Sequence, residues 1–285
     1  TMLQDNCAYP EMVAPSDYAN AGAFQAHVAE GVDLSAANEI DCLTGQRDDG
    51  IDVSNKPAAF VHVVGVTTED AVFLRDHDIS VVWSPRSNIA LYGHTANVTL
   101  LDRLGVNIAL STDWLPSGSM NLLRELKCAA DYSDNYLDDY FSNYKLWKMA
   151  SGNAARSFSM HDELGNLSTG LIADIVVFQG VVGKGPFQTV IEAQANDVLL
   201  VLRSGRPLLG KSELVHALRD DSENCEVLPV ELVCGNKIAV CFNATDGWDM
   251  QSILAANQDS YELMSCSAVP AGEPTCLPSW PGAFD

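Results

Sequence analysis

Two histidines and two carboxylates occur where short apolar runs of this sequence end. His27 and Glu30 close the run FQAHVAE, and His62 lies within AAFVHVVGV. Asp113 directly follows VNIALS and a threonine. Imidazole and carboxylate side chains together suit one divalent metal, with zinc the ion that they favour. Such a metal supplies hydroxide at neutral pH by lowering the pKa of a water molecule. The pattern therefore predicts a hydrolytic metal site.

Each of the four residues has a predicted role in that chemistry. His27 is expected to be a metal ligand, and Asp113 to bind the metal or to hold the attacking water and accept its proton. Glu30 lies three residues after His27, so both reach one pocket, and Glu30 is expected to pass the proton to the leaving nitrogen as a general acid. His62 is expected to stabilise the developing oxyanion or the attacking water.

A second group of residues is predicted to contact the substrate. Arg86, Ser87 and Asn88 follow the third apolar run and are candidates to hold a polar or anionic part of a small molecule. Trp114 is a candidate wall of the pocket, and His94 in GHTAN is a further candidate.

Each of these residues also has a structural interpretation. A histidine in an apolar strand is commonly a hydrogen-bonded core group, Asp113 alone could cap a helix, and Glu30 alone could be a solvated loop residue. The functional interpretation is favoured because four different runs deliver polar groups to equivalent positions.

The elements that carry these residues form four strand–helix units in succession. Their apolar runs are nearly continuous, which is typical of parallel strands covered by helices. The pattern TTEDAVFLRDH predicts a helix capped by Thr67 or Thr68, and VTLLDRLG predicts a helix that stops on Gly105. In folds of this kind, catalytic residues lie where the strands end and the following loops begin.

In this order and spacing, the motifs resemble those of the amidohydrolase superfamily, in particular its aminohydrolases and imidazolone-type hydrolases. HVAE is similar to the HxxE at the end of barrel strand 5, and VHVVGV carries a histidine like that of strand 6. SPRSNIALYG resembles the segment after strand 7, and STDW resembles the motif of strand 8 that carries an essential aspartate. SGNAARSF and ELGNLSTGLIADIVVF resemble the family's return to a β-sandwich, so the resemblance covers about residues 20 to 210.

The resemblance implies an α/β fold that is the C-terminal half, strands 5 to 8, of a (β/α)8 TIM-like barrel. We expect the half-barrel in residues 1–160, a small composite β-sandwich segment in 161–212, and a disulfide-linked C-terminal extension in 213–285. Within DVLLVLRSGRPLLG, the Ser-Gly-Arg-Pro sequence predicts the turn of a hairpin.

The family's first strand carries two metal ligands in an HxH motif, which this sequence lacks. The ~250 residues of a complete barrel also do not fit ahead of the β segment. We therefore expect an N-terminal half that bears HxH to complete the molecule. It could be a separate fragment after cleavage, a segment outside this sequence, or a second copy of the chain in a homo-oligomer.

The net charge of −22 argues against nucleic acid or an anionic membrane surface as partner, because both would repel the chain. No run of about 18 apolar residues is present, so no membrane span is expected.

The sequence has eight cysteines, five of them in its last quarter. They predict disulfides and an oxidising compartment, periplasmic or secreted, with the cytoplasm as the alternative. Cys266 and Cys276 are predicted to pair, and Cys225, Cys234 and Cys241 to supply a second pair. The fifth is then free or reaches an earlier cysteine.

The predicted function is a metal-dependent hydrolase acting on a C–N bond of a small molecule. Cyclic amide hydrolysis and deamination of an amino-heterocycle use the same residues, so the sequence leaves both open. The alternative is a catalytically inactive binding or assembly module that retains half a barrel. The missing HxH favours that alternative, whereas the four intact site positions argue against it.

Overall fold

The computed structural model of the chain describes residues 6–9, 15–219, 225–242, 249–257 and 264–280. The chain divides into two compact units, Thr1–Asn166 with Pro274–Asp285 and Leu167–Glu273. The division after Asn166 lies close to the boundary that was expected at residue 160. Part of the predicted C-terminal extension lies outside the described residues.

In the described residues, the first unit contains a four-stranded parallel sheet with its strands in chain order. The strands are β1 (Phe24–Val28), β2 (Ala58–His62), β3 (Ser80–Trp83) and β4 (Ile108–Leu110). The helices are α1 (Pro15–Asn20), α2 (Leu34–Leu43), α3 (Thr68–Asp76), α4 (Pro85–Tyr92), α5 (Val98–Leu104), α6 (Leu122–Tyr136), α7 (Asn143–Met149) and α8 (Gly152–Ser157). The predicted succession of parallel strand–helix units is confirmed.

Strands β2, β3 and β4 are buried along their whole length, which explains why their sequences are continuously apolar. On one face of the sheet, Ala59 and Val61 of β2 pack with Val82 and Ala109 against Ala154. Strand β1 forms one end of the sheet and is only partly buried. Its polar residues therefore remain accessible.

Two helix ends confirm predictions from the sequence. Thr67 is the N-cap of α3, where its hydroxyl accepts a bond from the Asp70 amide at 3.2 Å and the Asp70 carboxylate accepts one from the Thr67 amide at 2.9 Å. This reciprocal capping box selects Thr67 over Thr68. Helix α5 ends at Gly105, which has a left-handed φ of 85°. Helix α4 was not predicted, although Pro85 at its start favours a helical first turn.

The described part of the second unit contains a five-stranded antiparallel sheet with the order β5-β6-β7-β9-β8. Its strands are β5 (Ile175–Phe178), β6 (Val198–Arg203), β7 (Arg206–Lys211), β8 (Cys225–Val227) and β9 (Ile238–Cys241). Its helices are α9 (Pro186–Ile191), α10 (Ser212–Leu218) and α11 (Met250–Ala256), with a 3-10 helix at Ala195–Asp197. Because β7 pairs with β9, the expected boundary between 212 and 213 falls inside one sheet.

The predicted hairpin joins β6 to β7 through Ser204 and Gly205, whose φ angles are 50° and 78°. Positive φ at both central residues is what a two-residue type I′ turn requires. Among the residues that the structure describes, no helix combines the length and apolar character needed to cross a bilayer.

All eight cysteines are paired, as Cys7–Cys42, Cys128–Cys276, Cys225–Cys241 and Cys234–Cys266. The predicted Cys266–Cys276 bridge is therefore wrong. Residues 274–280 belong to the first unit, where the amide of Ser279 donates to Gly93 at 2.7 Å. That packing carries Cys276 to α6, while Cys266 stays in the second unit. Pairing of Cys276 with an earlier cysteine was one of the two outcomes expected for the fifth cysteine.

Candidate metal and catalytic site

The carboxyl ends of β1, β2 and β4 bring the four predicted residues of the metal chemistry together. Ligand atoms of His27, His62 and Asp113 all lie within 4.8 Å of one another. The His62 Nε2 atom is 3.6 Å from Glu30 Oε2 and 3.9 Å from Asp113 Oδ2. The rings of the two histidines stack with centroids 5.1 Å apart. The structure thus assembles one cluster from residues far apart in the sequence.

The backbone at these strand ends is strained. Ala29, His62, Val63 and Asp113 have left-handed φ angles of 53°, 74°, 47° and 56°. For residues other than glycine, such angles cost of order 1–3 kcal/mol each and persist only where the surroundings fix them. Val63 is the most unusual, because branching at its Cβ disfavours this conformation. Backbone strain concentrated at the carboxyl ends of neighbouring strands is typical of a functional site.

Two residues near the start of helix α4 form hydrogen bonds with Asp113 and His62. Ser87 Oγ donates to Asp113 Oδ2 at 2.5 Å and lies 2.7 Å from the Ser117 hydroxyl. Asn88 Nδ2 lies 3.0 Å from His62 Nδ1. Ser87 and Asn88 were predicted to contact substrate, and the structure places both against the cluster of His27, Glu30, His62 and Asp113. Both are fully buried.

Tyr92, at the end of α4, is a site residue that the sequence analysis missed. Its hydroxyl donates to the Glu30 carboxylate. Burial and the nearby Glu30 charge raise the pKa of Tyr92 to about 12, so the phenol keeps its proton. Burial also raises the pKa of Glu30, helped by the charge of Asp113 and opposed by His27 and by the Tyr92 bond. The only available signal was its position four residues after Asn88, one helical turn along α4.

Glu39 of α2 is a second residue that was missed. Its Oε2 accepts the Ala29 amide at 2.7 Å, which holds the strained turn between His27 and Glu30. Burial raises the pKa of Glu39 despite that bond, and the charge of Glu30 adds to the rise. Glu39 lies ten residues after Ala29 on a helix, and no sequence motif predicts this contact.

The His62 ring is neutral at neutral pH, because burial lowers its pKa to about 4 against the opposing effect of Asp113. In the described part of the chain, its buried Nε2 atom has no hydrogen-bond partner. Leaving a buried polar atom unpaired costs roughly 1–3 kcal/mol, so this atom is expected to face a water, an ion or a substrate. Two imidazoles and one carboxylate are also a donor set that zinc accepts. The residues present therefore fit a divalent metal.

Arg86 has a different environment from the one predicted. It is buried, and its Nε donates to Ser119 at 2.6 Å while Nη1 and Nη2 donate to the carbonyls of Pro274 and Arg124 at 2.5 Å and 3.3 Å. Its backbone amide donates to Glu125 Oε1 at 3.0 Å. That bond satisfies one of the amides left unpaired at a helix start. Arg86 and Glu125 thereby anchor the start of α4, which carries three contacts to the site.

The two remaining predicted residues lie near the loops. Trp114 directly follows Asp113 and is 63% exposed, so its ring is accessible to a bound molecule. His94 is nearly buried and its ring stacks on Trp280 with centroids 6.1 Å apart. Trp280 was not predicted. It belongs to the C-terminal segment, and its amide donates to the Gly93 carbonyl at 3.0 Å.

Comparison with known families places these motifs in context. Residues 23–208, more than half of the chain, match the amidohydrolase family. The chain belongs to this family, which confirms the identification made from HVAE, VHVVGV and STDW.

Relatives of this chain include several enzymes named as deaminases. A 5-methylthioadenosine/S-adenosylhomocysteine deaminase of Thermoanaerobacter pseudethanolicus is 30% identical over 175 residues, covering 58% of this chain and 40% of that enzyme. The protein of the same name from Caldanaerobacter subterraneus subsp. tengcongensis is 29% identical over 167 residues, covering 55% and 39%. The chain thus matches about two fifths of the length of these curated relatives.

Two solved structures share the fold. An adenosine deaminase from Xanthomonas campestris with bound zinc has a TM-score of 0.55 and 20% identity, covering 69% of this chain and 46% of that protein. The E. coli guanine deaminase has a TM-score of 0.52 and 20% identity, covering 64% and 47%.

Proposed function

We propose that this chain is the C-terminal half of a (β/α)8 barrel enzyme that hydrolyses a C–N bond of a small molecule with the help of one divalent metal. The observation that carries the proposal is the cluster of His27, Glu30, His62 and Asp113 at the ends of parallel strands. Membership of the amidohydrolase family supports it. Of the two reactions left open by the sequence, the names of the relatives favour deamination of an amino-substituted heterocycle.

His27 and Asp113 would hold the metal, and zinc suits their nitrogen and oxygen donors. A metal bound there would lower the pKa of a water molecule so that hydroxide is available near neutral pH. Catalytic zinc sites use three protein ligands, so two ligands from this chain leave the set incomplete. We propose that a barrel half carrying the HxH strand supplies the others.

The chain's own residues would move the protons. Asp113 Oδ2, close to His62, would accept a proton from the attacking water. Glu30 has a raised pKa, so it would carry a proton at neutral pH more readily than an exposed glutamate and deliver it to the leaving nitrogen. Tyr92 would hold the Glu30 carboxyl in place. His62 Nε2, which lies between the two carboxylates, would donate to the oxygen on which negative charge develops.

The first test is metal content and turnover of protein never exposed to a chelator. About one divalent metal per chain is expected in the wild type and in His161→Ala, an exposed histidine, and much less in His27→Ala. Ammonia release from aminopurine nucleosides, compared with ring opening of cyclic amides, tests deamination. Substoichiometric metal that His27→Ala leaves unchanged would contradict the metal site and favour an inactive binding module.

We further propose that the protein functions in an oxidising compartment, periplasmic or extracellular. Support comes from four disulfides that use every cysteine, since such bonds persist mainly outside the reducing cytosol. Fractionation of the native host by an antibody against the chain would test this.

A further inference from the structure

A chain of buried hydrogen bonds reaches the Nδ1 atom of His62, whose Nε2 atom faces Glu30 and Asp113. Trp83 Nε1 donates to Thr95 Oγ1 at 2.7 Å, and Thr95 Oγ1 donates to Asn88 Oδ1 at 2.9 Å. Asn88 Nδ2 lies 3.0 Å from His62 Nδ1. All four side chains are fully buried. Bulk water therefore does not compete for these bonds.

The fold brings these residues together across α4. Trp83 is the last residue of β3, and Asn88 lies in the helix that follows. The helix ends on Gly93 with a left-handed φ of 78°, which reverses the chain. Thr95 thereby lies within hydrogen-bond distance of both Asn88 and the Trp83 indole nitrogen.

The direction of each bond follows from the chemistry of the donors. An indole N–H only donates, so the Thr95 oxygen accepts from Trp83 and its single hydrogen is left for Asn88. The amide oxygen of Asn88 therefore faces Thr95, and its NH₂ group faces His62. The reverse amide orientation would leave the buried Thr95 hydroxyl hydrogen without an acceptor among the described residues, at a cost of roughly 1–3 kcal/mol.

We propose that Trp83, Thr95 and Asn88 are positioning residues that fix His62 as the tautomer protonated on Nε2. A ring nitrogen that accepts a hydrogen bond carries no proton, so with His62 Nδ1 accepting from Asn88 the ring's proton resides on Nε2. That nitrogen faces Glu30 and Asp113 at 3.6 Å and 3.9 Å. His62 is then a hydrogen-bond donor to the reacting oxygen.

This assignment separates two roles that the geometry of the cluster leaves open. A histidine that binds a metal does so through an unprotonated nitrogen, so a ring protonated on Nε2 is not a ligand through that atom. Of the three clustered groups, His27 and Asp113 remain as the ligands from this chain. The catalytic consequence rests on the proposed function, whereas the tautomer itself does not.

The test is ring nitrogen NMR of uniformly ¹⁵N-labelled protein, purified without chelator and recorded at a pH where the His62 ring is neutral. His62→Gln identifies the signals by their loss. The expected pattern is an Nδ1 resonance in the unprotonated range and an Nε2 resonance in the protonated range. The opposite pattern would overturn the proposal.

Variants of Asn88 and Thr95 test which residues hold the tautomer. Asn88→Asp presents only acceptors to the ring, so it should move the proton to Nδ1 and lower kcat by roughly 10²- to 10³-fold, the usual cost of losing an oxyanion donor, with little change in KM. Thr95→Val should loosen the Asn88 amide and give mixed tautomers. Thr95→Ser, which keeps the hydroxyl, should restore both the wild-type NMR pattern and kcat.

The outcomes are distinguishable from failure of the proposed function. A wild type with Nε2–H that turns over no substrate would contradict the enzyme assignment but not the tautomer. An active wild type with Nδ1–H would contradict the tautomer alone. If Asn88→Asp does not fold, the two Thr95 variants still test the proposal. A folded Thr95→Val with the NMR pattern and kcat of Thr95→Ser would show that the hydrogen bonds from Thr95 do not fix the tautomer of His62.

Discussion

The two units of the chain maintain their structure in different ways. The first has a parallel sheet whose strands β2, β3 and β4 are fully buried. The predicted site lies at the carboxyl ends of its strands. The second has short antiparallel strands over a small cluster that includes Leu200, Val215 and Ala239, and two disulfides tie its C-terminal part. Strained backbone at a site needs surroundings that fix it. The three fully buried strands provide such surroundings.

The largest expected effect separates chemistry from stability within the first unit. Glu30→Gln keeps the shape of the side chain but removes its ability to carry a proton, so kcat should fall by roughly 10²- to 10⁴-fold. Metal content and unfolding free energy should stay near those of the wild type. Steady-state kinetics on the ammonia-releasing substrate measures the loss.

The matched control is Glu163→Gln, which removes an exposed carboxylate and should leave kcat unchanged. A Glu30→Gln protein that retains most of its turnover would show that Glu30 is not the proton shuttle.

Much of the first unit could be predicted from its sequence because its signals are local. Continuous apolar runs indicated β2, β3 and β4, and polar residues at their ends indicated the cluster. The roles of α4, Tyr92 and Glu39 could not be predicted in the same way. Each depends on which helix packs beside which strand end, and a single sequence carries little information on such contacts.

The second unit and the C-terminal segment were predicted less well for a related reason. The hairpin could be predicted because Ser204 and Gly205 are adjacent in the sequence. The pairing of β7 with β9 could not, because a long stretch without a recognisable pattern separates the two strands. Cys266 and Cys276 are close in sequence, yet they lie in different units. Proximity along the chain was therefore a poor guide to disulfide pairing.

Removing disulfides should give the next largest effect and should differ between the units. The Cys128–Cys276 bridge spans 148 residues of sequence, and Cys225–Cys241 spans 16. In the chain-entropy description, closing a loop of about 15 residues stabilises by about 3 kcal/mol and one of about 100 residues by about 4.7 kcal/mol. The double serine variant of the first pair should therefore lose more unfolding free energy, as measured by urea denaturation.

The same samples provide a control on the pairing itself. Denatured, unreduced wild type should show no reactive thiols, and each double variant should also show none. Equal losses of stability in the two variants would contradict the dependence on loop length, and eight reactive thiols in the wild type would contradict all four bridges.

A smaller effect is expected from a glycine in the loop after β4. A Cβ added at Gly118 would lie 1.9 Å from the carbonyl oxygen of Thr112 and 2.8 Å from that of Trp114. Gly118→Ala should therefore displace the loop that carries Asp113, lowering the unfolding free energy by roughly 1–3 kcal/mol and reducing kcat/KM. Gly22→Ala is the control, because nothing lies within 4 Å of its added Cβ. Equal stability and kcat/KM in the two variants would contradict the close approach.

The smallest effect concerns a feature that the two units share. Thr67 caps α3 and Asp249 caps α11, each in a capping box. A cap acts on its own helix end, so Thr67→Ala and Asp249→Ala should each lower the unfolding free energy of their unit by about 1 kcal/mol. Thr68→Ala, at the exposed neighbouring position, should change it by less than about 0.5 kcal/mol. Urea denaturation measures all three, and equal losses for Thr67→Ala and Thr68→Ala would contradict the capping bond. Similar losses in the two units would show that helix caps contribute alike whether the surrounding sheet is parallel or antiparallel.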